Sequence, residues 1–410
     1  MIDCTCMRSV VFVAPFPLDT TMRFARAAAT LPGVRLCGVM QELPTGDDRQ
    51  FFDDIVRVDD GLSIHDLVAA VDLLRRRHGG VHRIIGVLEP LQVQLALARA
   101  EFGIPGTDVE TAELFRDKAL MKDRLRAAGL PVARHRLVTG IEDAAAFERE
   151  VGFPIVLKPP AGMGAKATFR VRSREELYRA VHGLSASASN LVLAEEFLHG
   201  EEGSCDTLTL AGVPRLVSVS RYRPSCLTVL ENPWIQWCCV LPRENTGPGF
   251  DDVKALAIKA AQVLGLDTGF THMEWFRRPN GSLAIGEIAQ RPPGAHITRM
   301  IGLAYDTDPY KMWVRAVVDG EFDGPWERRY SVGCAYLRGI GRGRVAAVYG
   351  VKQVNDALGH MVIEARLPTP GAPKNDSYEG DGYAIVADSR TERVERALKG
   401  IIENIKVQYA

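Results

Sequence analysis

The stretch THMEWFRRPNGSLAIGEIAQRPPGA, residues 271–295, decides the fold of this chain. Two apolar runs flank Pro-Asn-Gly at 279–281, and an Asn-Gly pair between such runs is the strongest short signal for a β-hairpin. A two-residue Asn-Gly loop places Glu274 directly opposite Glu287. Opposed residues have Cβ atoms about 4.5–5.5 Å apart, where like charges destabilise a sheet. The hairpin therefore predicts a site for a hard divalent cation, with two ordinary solvated glutamates as the alternative.

An arginine follows the second glutamate at the same end of the returning strand. Arg291 comes four residues after Glu287. A guanidinium group can bind a carboxylate or phosphate through two parallel hydrogen bonds. The end of this strand is therefore expected to hold an anion beside the cation.

Composition limits the classes of protein to which the chain can belong. The 410 residues exceed one hydrophobic core and predict two or three domains. Fifty basic and 51 acidic residues give a net charge of −1, which supports neither a nucleic-acid footprint nor a polybasic membrane anchor. No run of 18 apolar residues occurs, and the N-terminal apolar run indicates a strand more than a signal peptide. The eight cysteines are interpreted as reduced thiols of a cytoplasmic protein.

Residues 1–110 alternate strand and helix patterns, which predicts an α/β domain with a parallel sheet. Strands are expected at 9–14, 34–40 and 83–88, and helices at 22–31, 64–77 and 91–102. Ligands bind beyond the carboxyl ends of strands in such sheets, and Glu89 lies at one of these ends. Glu89 is equally well explained as an acid at a helix N-terminus.

The middle of the chain carries two lysines in contexts that suit phosphate binding. One helix is predicted over 113–128 with Lys118 in its first half. A strand at 154–157 leads into Lys158 and a loop of small residues, in which close approach of backbone N–H groups to an anion is possible. The segment 195–202 reads EEFLHGEE and follows another strand. Its backbone is expected to bind a flat base, and Glu202 a ribose diol.

These motifs together resemble the ATP-grasp superfamily over about residues 105–300. They are Lys118 in D-K-x-x-x-K, Lys158 in an apolar-K-P loop, E-E-F-L-x-G-x-E at 195–202, and Glu274…Glu287-x-x-x-Arg291. The fold class implied is α/β and α+β multidomain. Its parts would be an N-terminal pre-ATP-grasp domain (1–110), an ATP-grasp domain (111–325) with a mobile subdomain at about 135–198, and a small C-terminal α+β domain (326–410). The branch that holds the L-amino-acid ligases is the most similar.

The resemblance implies roles for individual residues. Lys118 and Lys158 would contact ATP phosphates, and the loop 160–166 would close over them. Mg²⁺, with Mn²⁺ as an alternative, would be held by the two hairpin glutamates. The implied ATP-binding set is Lys118, Lys158, Gly162, Gly164, Lys166, Glu195, Glu196, Phe197, Leu198 and Glu202; the catalytic set is Arg291, Lys158 and Arg338; and the substrate set is Glu89, Arg291 and His296.

One position departs from the family pattern. The usual third metal ligand is an Asn two residues after the second glutamate, and this chain has Ala289 there. A water or Gln290 is the expected substitute.

The function implied is ATP-dependent joining of a carboxylate to an amine through an acyl phosphate. Small-molecule carboxylates and amines would be the partners, without nucleic acid or membrane, and a homodimer is one possible assembly. Two alternatives stay open: an enzyme that acts on a nucleotide intermediate or bicarbonate, and a silent ATP-binding module. A biotin carboxylase is disfavoured because no biotin-accepting A-M-K-M occurs.

Overall fold

The first hundred residues form a four-stranded parallel sheet, as the alternating pattern predicts. The computed structural model describes residues 7–162, 167–375 and 377–410. The strand order is β3-β2-β1-β4, and the edge strand β3 was not predicted because it is only four residues long. The elements are β1 (Arg8–Val13), α1 (Asp19–Ala29), β2 (Val34–Met40), β3 (Asp54–Arg57), α2 (Ile64–His78), β4 (Arg83–Ile85) and α3 (Gln92–Phe102).

The single helix predicted over 113–128 is wrong, because the chain forms two helices there. They are α4 (Val109–Arg116) and α5 (Lys118–Ala127). Asp117 separates them with extended backbone geometry, and its side chain accepts from the N–H groups of Ala119 at 2.8 Å and Leu120 at 3.0 Å. Aspartate is among the best N-cap residues, so the chain restarts a helix at this point. As a result, Lys118 occupies the first turn of α5.

A small subdomain follows, with two helices on one antiparallel sheet. The strand order is β5-β8-β6-β7. The elements are β5 (His135–Val138), α6 (Ile141–Val151), β6 (Ile155–Lys158), β7 (Phe169–Val171), α7 (Arg174–Gly183) and β8 (Val192–Glu196).

The central antiparallel sheet contains the hairpin and has the order β10-β9-β13-β14. Helix α9 packs its apolar face on this sheet through residues such as Val253 and Ala260. The elements are β9 (Glu201–Leu210), β10 (Val213–Val219), β11 (Arg221–Arg223), α8 (Cys226–Glu231), β12 (Trp237–Leu241), α9 (Asp251–Val263), β13 (Gly269–Arg277), β14 (Leu283–Ala289), α10 (Ile297–Tyr305) and α11 (Pro309–Val314).

The hairpin places Glu274 opposite Glu287 as predicted, but by a different route. The loop has three residues instead of two, because the Arg278 N–H donates to the Ser282 carbonyl at 2.8 Å. This shifts the pairs nearest the turn by one residue, so that Trp275 faces Ile285. Gly286 then forms a bulge that restores the register. A Cβ at this bulge would lie 2.7 Å from the Phe276 ring, which explains the glycine.

The predicted C-terminal domain, which begins at residue 326, shares a five-stranded sheet with the chain before it. Strands β11 and β12 precede residue 326, and β15, β18 and β19 follow it. The order of this sheet is β11-β12-β15-β19-β18, and a three-stranded sheet has the order β16-β20-β17. The remaining elements are β15 (Ser331–Leu337), β16 (Gly339–Ile340), β17 (Val345–Tyr349), α12 (Val351–Leu358), β18 (Val362–Arg366), β19 (Gly382–Asp388), α13 (Thr391–Asn404) and β20 (Lys406–Tyr409).

Stacked aromatic side chains connect this last sheet to the rest of the core. Trp237 on β12 stacks on Tyr336 on β15 with ring centroids 4.3 Å apart, and Tyr222 on β11 meets Trp237 edge-on.

Within the described ranges, no helix has the length and apolar character needed to cross a bilayer.

Candidate functional site

A cavity of about 400 Å³ opens between the central sheet, the subdomain and α8. It brings together most of the residues that the sequence singles out, although they are spread over two hundred positions. Those among its lining are Glu89, Lys118, Lys158, Gly162, Glu195, Glu196, Phe197, Leu198, Glu202, Glu274, Glu287 and Arg291.

The two hairpin glutamates have different electrostatic environments. Glu287 receives Lys118 Nζ at 3.1 Å on its Oε1. Burial opposes ionisation of Glu287, but Lys118 and Lys158 outweigh it and lower the pKa of that carboxyl. Burial and the charge of Glu287 together raise the pKa of Glu274. A cation between the two would remove this repulsion.

The hairpin offers two carboxylate ligands to a cation, which do not complete its coordination. No group of three or more His, Cys, Asp or Glu residues suited to a metal occurs in the described part of the chain. Mg²⁺ is typically bound by one or two carboxylates together with substrate phosphates and waters, so Glu274 and Glu287 fit a magnesium ion that arrives with a nucleotide.

A buried charge cluster lies below the hairpin. Glu195 forms ion pairs with Lys158 Nζ at 2.8 Å and with Lys122 Nζ at 3.2 Å. Lys122 also donates to the carbonyl of the bulge residue Gly286. Burial would raise the pKa of Glu195, but the two lysines hold it at about 2. Glu195, one of the predicted ATP-binding residues, therefore binds two lysines in this structure.

The first part of the small-residue loop, residues 160–162, is hydrogen-bonded to the junction between α4 and α5. Lys118 Nζ donates to the Gly162 carbonyl at 2.8 Å, and the Lys118 N–H donates to the Pro160 carbonyl at 3.1 Å. Arg116 donates to the carbonyls of Ala161 and Gly162. The helix break at Asp117 is what directs these groups at the loop. Gly164 and Lys166, two further predicted ATP-binding residues, lie outside the described residues.

The 195–202 segment connects the subdomain to the central sheet. The Glu196 carboxylate accepts from Arg134 Nε at 3.0 Å and from Arg278 at 2.8 Å, so two arginines of the protein neutralise it. The backbone N–H of Glu196 donates to the Arg134 carbonyl, and that of Phe197 to the Pro154 carbonyl. These two N–H groups are thus used within the protein.

Glu202 is almost fully buried at the start of β9. Its Oε2 accepts from the Cys226 N–H at 3.1 Å. Burial, reinforced by the charge of Glu274, raises the pKa of Glu202 to about 8. A protonated carboxyl at this position can both donate to and accept from a hydroxyl group.

Glu89 links the N-terminal domain to the end of the hairpin. Its Oε2 accepts from Arg291 Nε at 3.0 Å and its Oε1 from Arg116 at 3.3 Å. Glu89 is 3% exposed and begins the short 3₁₀ turn that precedes α3. The strand predicted to reach residue 88 ends at Ile85, so Glu89 lies at the start of a helical segment, which was the alternative interpretation; its pairing with two arginines was not predicted.

A histidine on the facing strand lies opposite Ala289, the position of the missing third ligand. His272 pairs with Ala289 across the hairpin and precedes Glu274 by two residues, so it shares the face of Glu274. His272 Nδ1 lies 2.6 Å from Asp206 Oδ1. The expectation that Gln290 replaces the missing ligand is not supported, because Gln290 is not among the residues that line this cavity; its Nε2 donates to Thr107.

Two predicted residues do not line the main cavity. Arg338 donates to the Val229 carbonyl of α8 at 2.7 Å and is not among the residues that line the cavity. His296 packs its ring on Tyr383, with centroids 3.8 Å apart. Burial lowers the pKa of His296 to about 4.

An ion-pair cluster closes one side of the cavity. Arg170 on β7 donates to both carboxylate oxygens of Glu231 at the end of α8, and Arg172 donates to the same carboxylate at 3.1 Å. Arg170 also lies over the Phe197 ring. The subdomain is thereby held against the helix that covers the cavity.

Sequence reasoning missed three residues of the site. Lys122 lies one helical turn after Lys118, and that spacing places both lysines on one helix face. Arg116 precedes the capping residue Asp117. Asp206 follows Ser204 and Glu202 with the two-residue period of a strand, which is the signal that could have located it.

The fold and this set of residues are those of an ATP-grasp domain. Residues 117–202 match the family described as "Carbamoyl-phosphate synthase L chain, ATP binding domain".

Amino-acid ligases are among the similar proteins. An L-arginine-specific L-amino acid ligase of Bacillus subtilis is 34% identical over 228 residues, which cover 54% of each chain. The match therefore spans about half the length of that relative. A phosphoribosylamine–glycine ligase of Allochromatium vinosum is 34% identical over 150 residues, 35% of each chain.

Solved structures match over nearly the whole chain. An L-amino acid ligase from Bacillus licheniformis has a TM-score of 0.79 at 16% identity and covers 98% of this chain and 99% of its own. The N5-carboxyaminoimidazole ribonucleotide synthetase of Thermotoga maritima has a TM-score of 0.71 at 18% identity, with 98% and 100% covered. At these identities the likeness shows the fold.

Proposed function

We propose that the protein is an ATP-dependent carboxylate–amine ligase. It would join two amino acids, or an amino acid and an amine, through an acyl phosphate, and release ADP and phosphate. The observation that carries the proposal is the convergence of Lys118, Lys158, the facing pair Glu274 and Glu287, and Arg291 on one cavity. The likeness to the B. subtilis ligase supports the substrate class.

The protein's share of this chemistry is positioning and electrostatics. Lys118 and Lys158 would neutralise the phosphates, and Arg291 would hold the reacting carboxylate beside them. Magnesium, held by Glu274 and Glu287, would supply charge stabilisation at the transferred phosphoryl group. Phosphorylation makes the carboxylate reactive, because phosphate leaves readily where oxide does not.

The two substrates present different amino groups. The amine that attacks in the second half-reaction needs a free lone pair. The amino group of the activated amino acid does not react, and Glu89, at the arginine end of the cavity, would bind it. Tyr222, Trp237 and Tyr378 form an aromatic wall with room beside Ala295. Direct substrate contact is assigned to these lining residues and not to Arg338 or His296.

Phosphate release from ATP tests the proposal across a panel of amino acids given singly and in pairs. Release that depends on two amino acids together is the expected result. Nucleotide binding without release for any pair would favour the silent-module alternative. Release with bicarbonate or a nucleotide intermediate alone would favour the other alternative.

Glu287→Ala is expected to abolish release, because it removes half of the cation site. Glu175→Ala is the matched control, since Glu175 is an exposed glutamate on α7. Equal activity of Glu287→Ala and the control would refute the metal assignment.

A further inference from the structure

A second, smaller cavity lies behind the Glu89–Arg291 pair. We call it the rear cavity; its volume is about 70 Å³, and Arg291 lines both it and the main cavity. It sits where β4, α3, the start of β13 and the segment after α11 meet. Its polar lining residues are Arg83, Gln92, Arg99, Thr107, Thr268, Gln290 and Arg291.

The charges around the rear cavity are all positive. Three arginines line it, and no Asp or Glu does so among the described residues. Arg291 is neutralised by Glu89 on the side of the main cavity. Arg83 and Arg99 form no ion pair within the part of the chain described, so two positive charges face the rear cavity without a protein counterion.

The contacts of these two arginines are with backbone carbonyls. Arg99 Nε donates to the Ile84 carbonyl and its NH1 to the Thr107 carbonyl, both at 3.0 Å. Arg83 NH1 donates to the His82 carbonyl at 2.9 Å. Carbonyl contacts hold the guanidinium groups in place and leave their net charge uncompensated.

The pKa values of both guanidinium groups, those of Arg83 and Arg99, are lowered in this environment. Burial, and then the charge of Arg83, lower the pKa of Arg99 to about 10. Burial and the charge of Arg8 lower the pKa of Arg83. Asp319 attracts Arg83, but Arg8 already holds that carboxylate at 2.8 Å.

We propose that the rear cavity binds a small inorganic anion between Arg83 and Arg99. The volume suits a halide or a small oxyanion and excludes a nucleotide. Arg99 also packs against Gly106, where an added Cβ would lie 2.7 Å from its Cδ, so the guanidinium group is fixed toward the cavity. The site is separate from the proposed ligase activity and does not depend on it.

Thermal unfolding at constant ionic strength tests the site. Sodium gluconate, whose anion is too large for the cavity, is exchanged stepwise for sodium chloride or sodium phosphate. The unfolding midpoint of the wild type is expected to rise with the logarithm of the small-anion concentration. A rise with both salts indicates a halide-accepting site, and a rise with phosphate alone indicates an oxyanion site.

Arg99→Met keeps an unbranched side chain and removes the guanidinium group with its charge, so it is expected to abolish this rise. Arg179→Met, at an exposed arginine on α7, is the matched control and should retain it. An equal rise in Arg99→Met and the control, or no rise in the wild type, would overturn the proposal.

Crystals soaked in sodium bromide give a test that needs no variant. An anomalous peak is expected between the guanidinium groups of Arg83 and Arg99. Bromide bound elsewhere with none at this position would overturn the proposal.

Discussion

Glu89 accepts a hydrogen bond from Arg291 at 3.0 Å, although 202 residues separate the two in the chain. Glu89 begins the short helical turn between β4 and α3, and Arg291 follows the hairpin strand β14. Arg116 donates to the same carboxylate at 3.3 Å. The pair thereby fixes the arginine that the proposed reaction uses to the neighbouring domain.

Removing either member of this pair should affect different steps. Arg291→Met is expected to lower kcat/KM for phosphate release by about 10²–10³-fold, because a charge that stabilises the transferred phosphoryl group is lost. Glu89→Gln should mainly raise the KM for the activated amino acid, because its ammonium group loses a counter-charge. Steady-state kinetics of both variants distinguish the two effects, and an unchanged amino-acid KM in Glu89→Gln would contradict substrate binding by Glu89.

The buried lysine below the hairpin should matter for stability. Lys122→Met is expected to destabilise the protein by about 3–5 kcal/mol, because Glu195 loses one partner and the Gly286 carbonyl its donor. Urea denaturation measures the change. Lys399→Met, at an exposed lysine of α13, should stay within about 0.5 kcal/mol of the wild type.

A double variant tests the cause of that loss. Lys122→Met combined with Glu195→Gln also leaves the buried Lys158 ammonium group without its carboxylate partner, so the double variant should be less stable than Lys122→Met. A double variant at least as stable as Lys122→Met would contradict the pairing of Glu195 with Lys158.

His296 should make stability depend on acid. Its pKa is lowered to about 4 in the folded protein, whereas an unfolded histidine titrates near 6.5. Between these values the unfolded state binds more protons, so stability falls as the pH decreases from about 6.5 to 4, by about 3 kcal/mol in total.

Comparison of His296→Gln with the wild type isolates this contribution. Denaturation curves at several pH values should show a flatter pH dependence in His296→Gln over this window. His360→Gln, at an exposed histidine, is the matched control for the loss of an imidazole. Parallel pH profiles for wild type and His296→Gln would contradict the buried neutral imidazole.

The sequence predicted the fold and most of the charged residues that line the main cavity, because both depend on local periodicity and motif spacing. The facing of Glu274 and Glu287 was predicted even though the loop was one residue longer, because the bulge at Gly286 compensates for it. A bulge depends on packing against the Phe276 ring, which no local pattern shows.

What the sequence did not predict depends on contacts between distant segments. Asp117 ends one helix and caps the next, which a continuous apolar period concealed. The pairing of His272 with Asp206, and the charge uncompensated at Arg99, arise only when separate strands and domains meet.

The central claim is that a substrate carboxylate attacks the terminal phosphate of ATP. It is tested most directly with an amino-acid pair that supports phosphate release, in which the carboxylate of the activated member carries ¹⁸O. Mass spectrometry of the released phosphate should show one ¹⁸O atom transferred from that carboxylate per turnover. Phosphate that carries oxygen only from ATP and solvent water would contradict the acyl-phosphate mechanism.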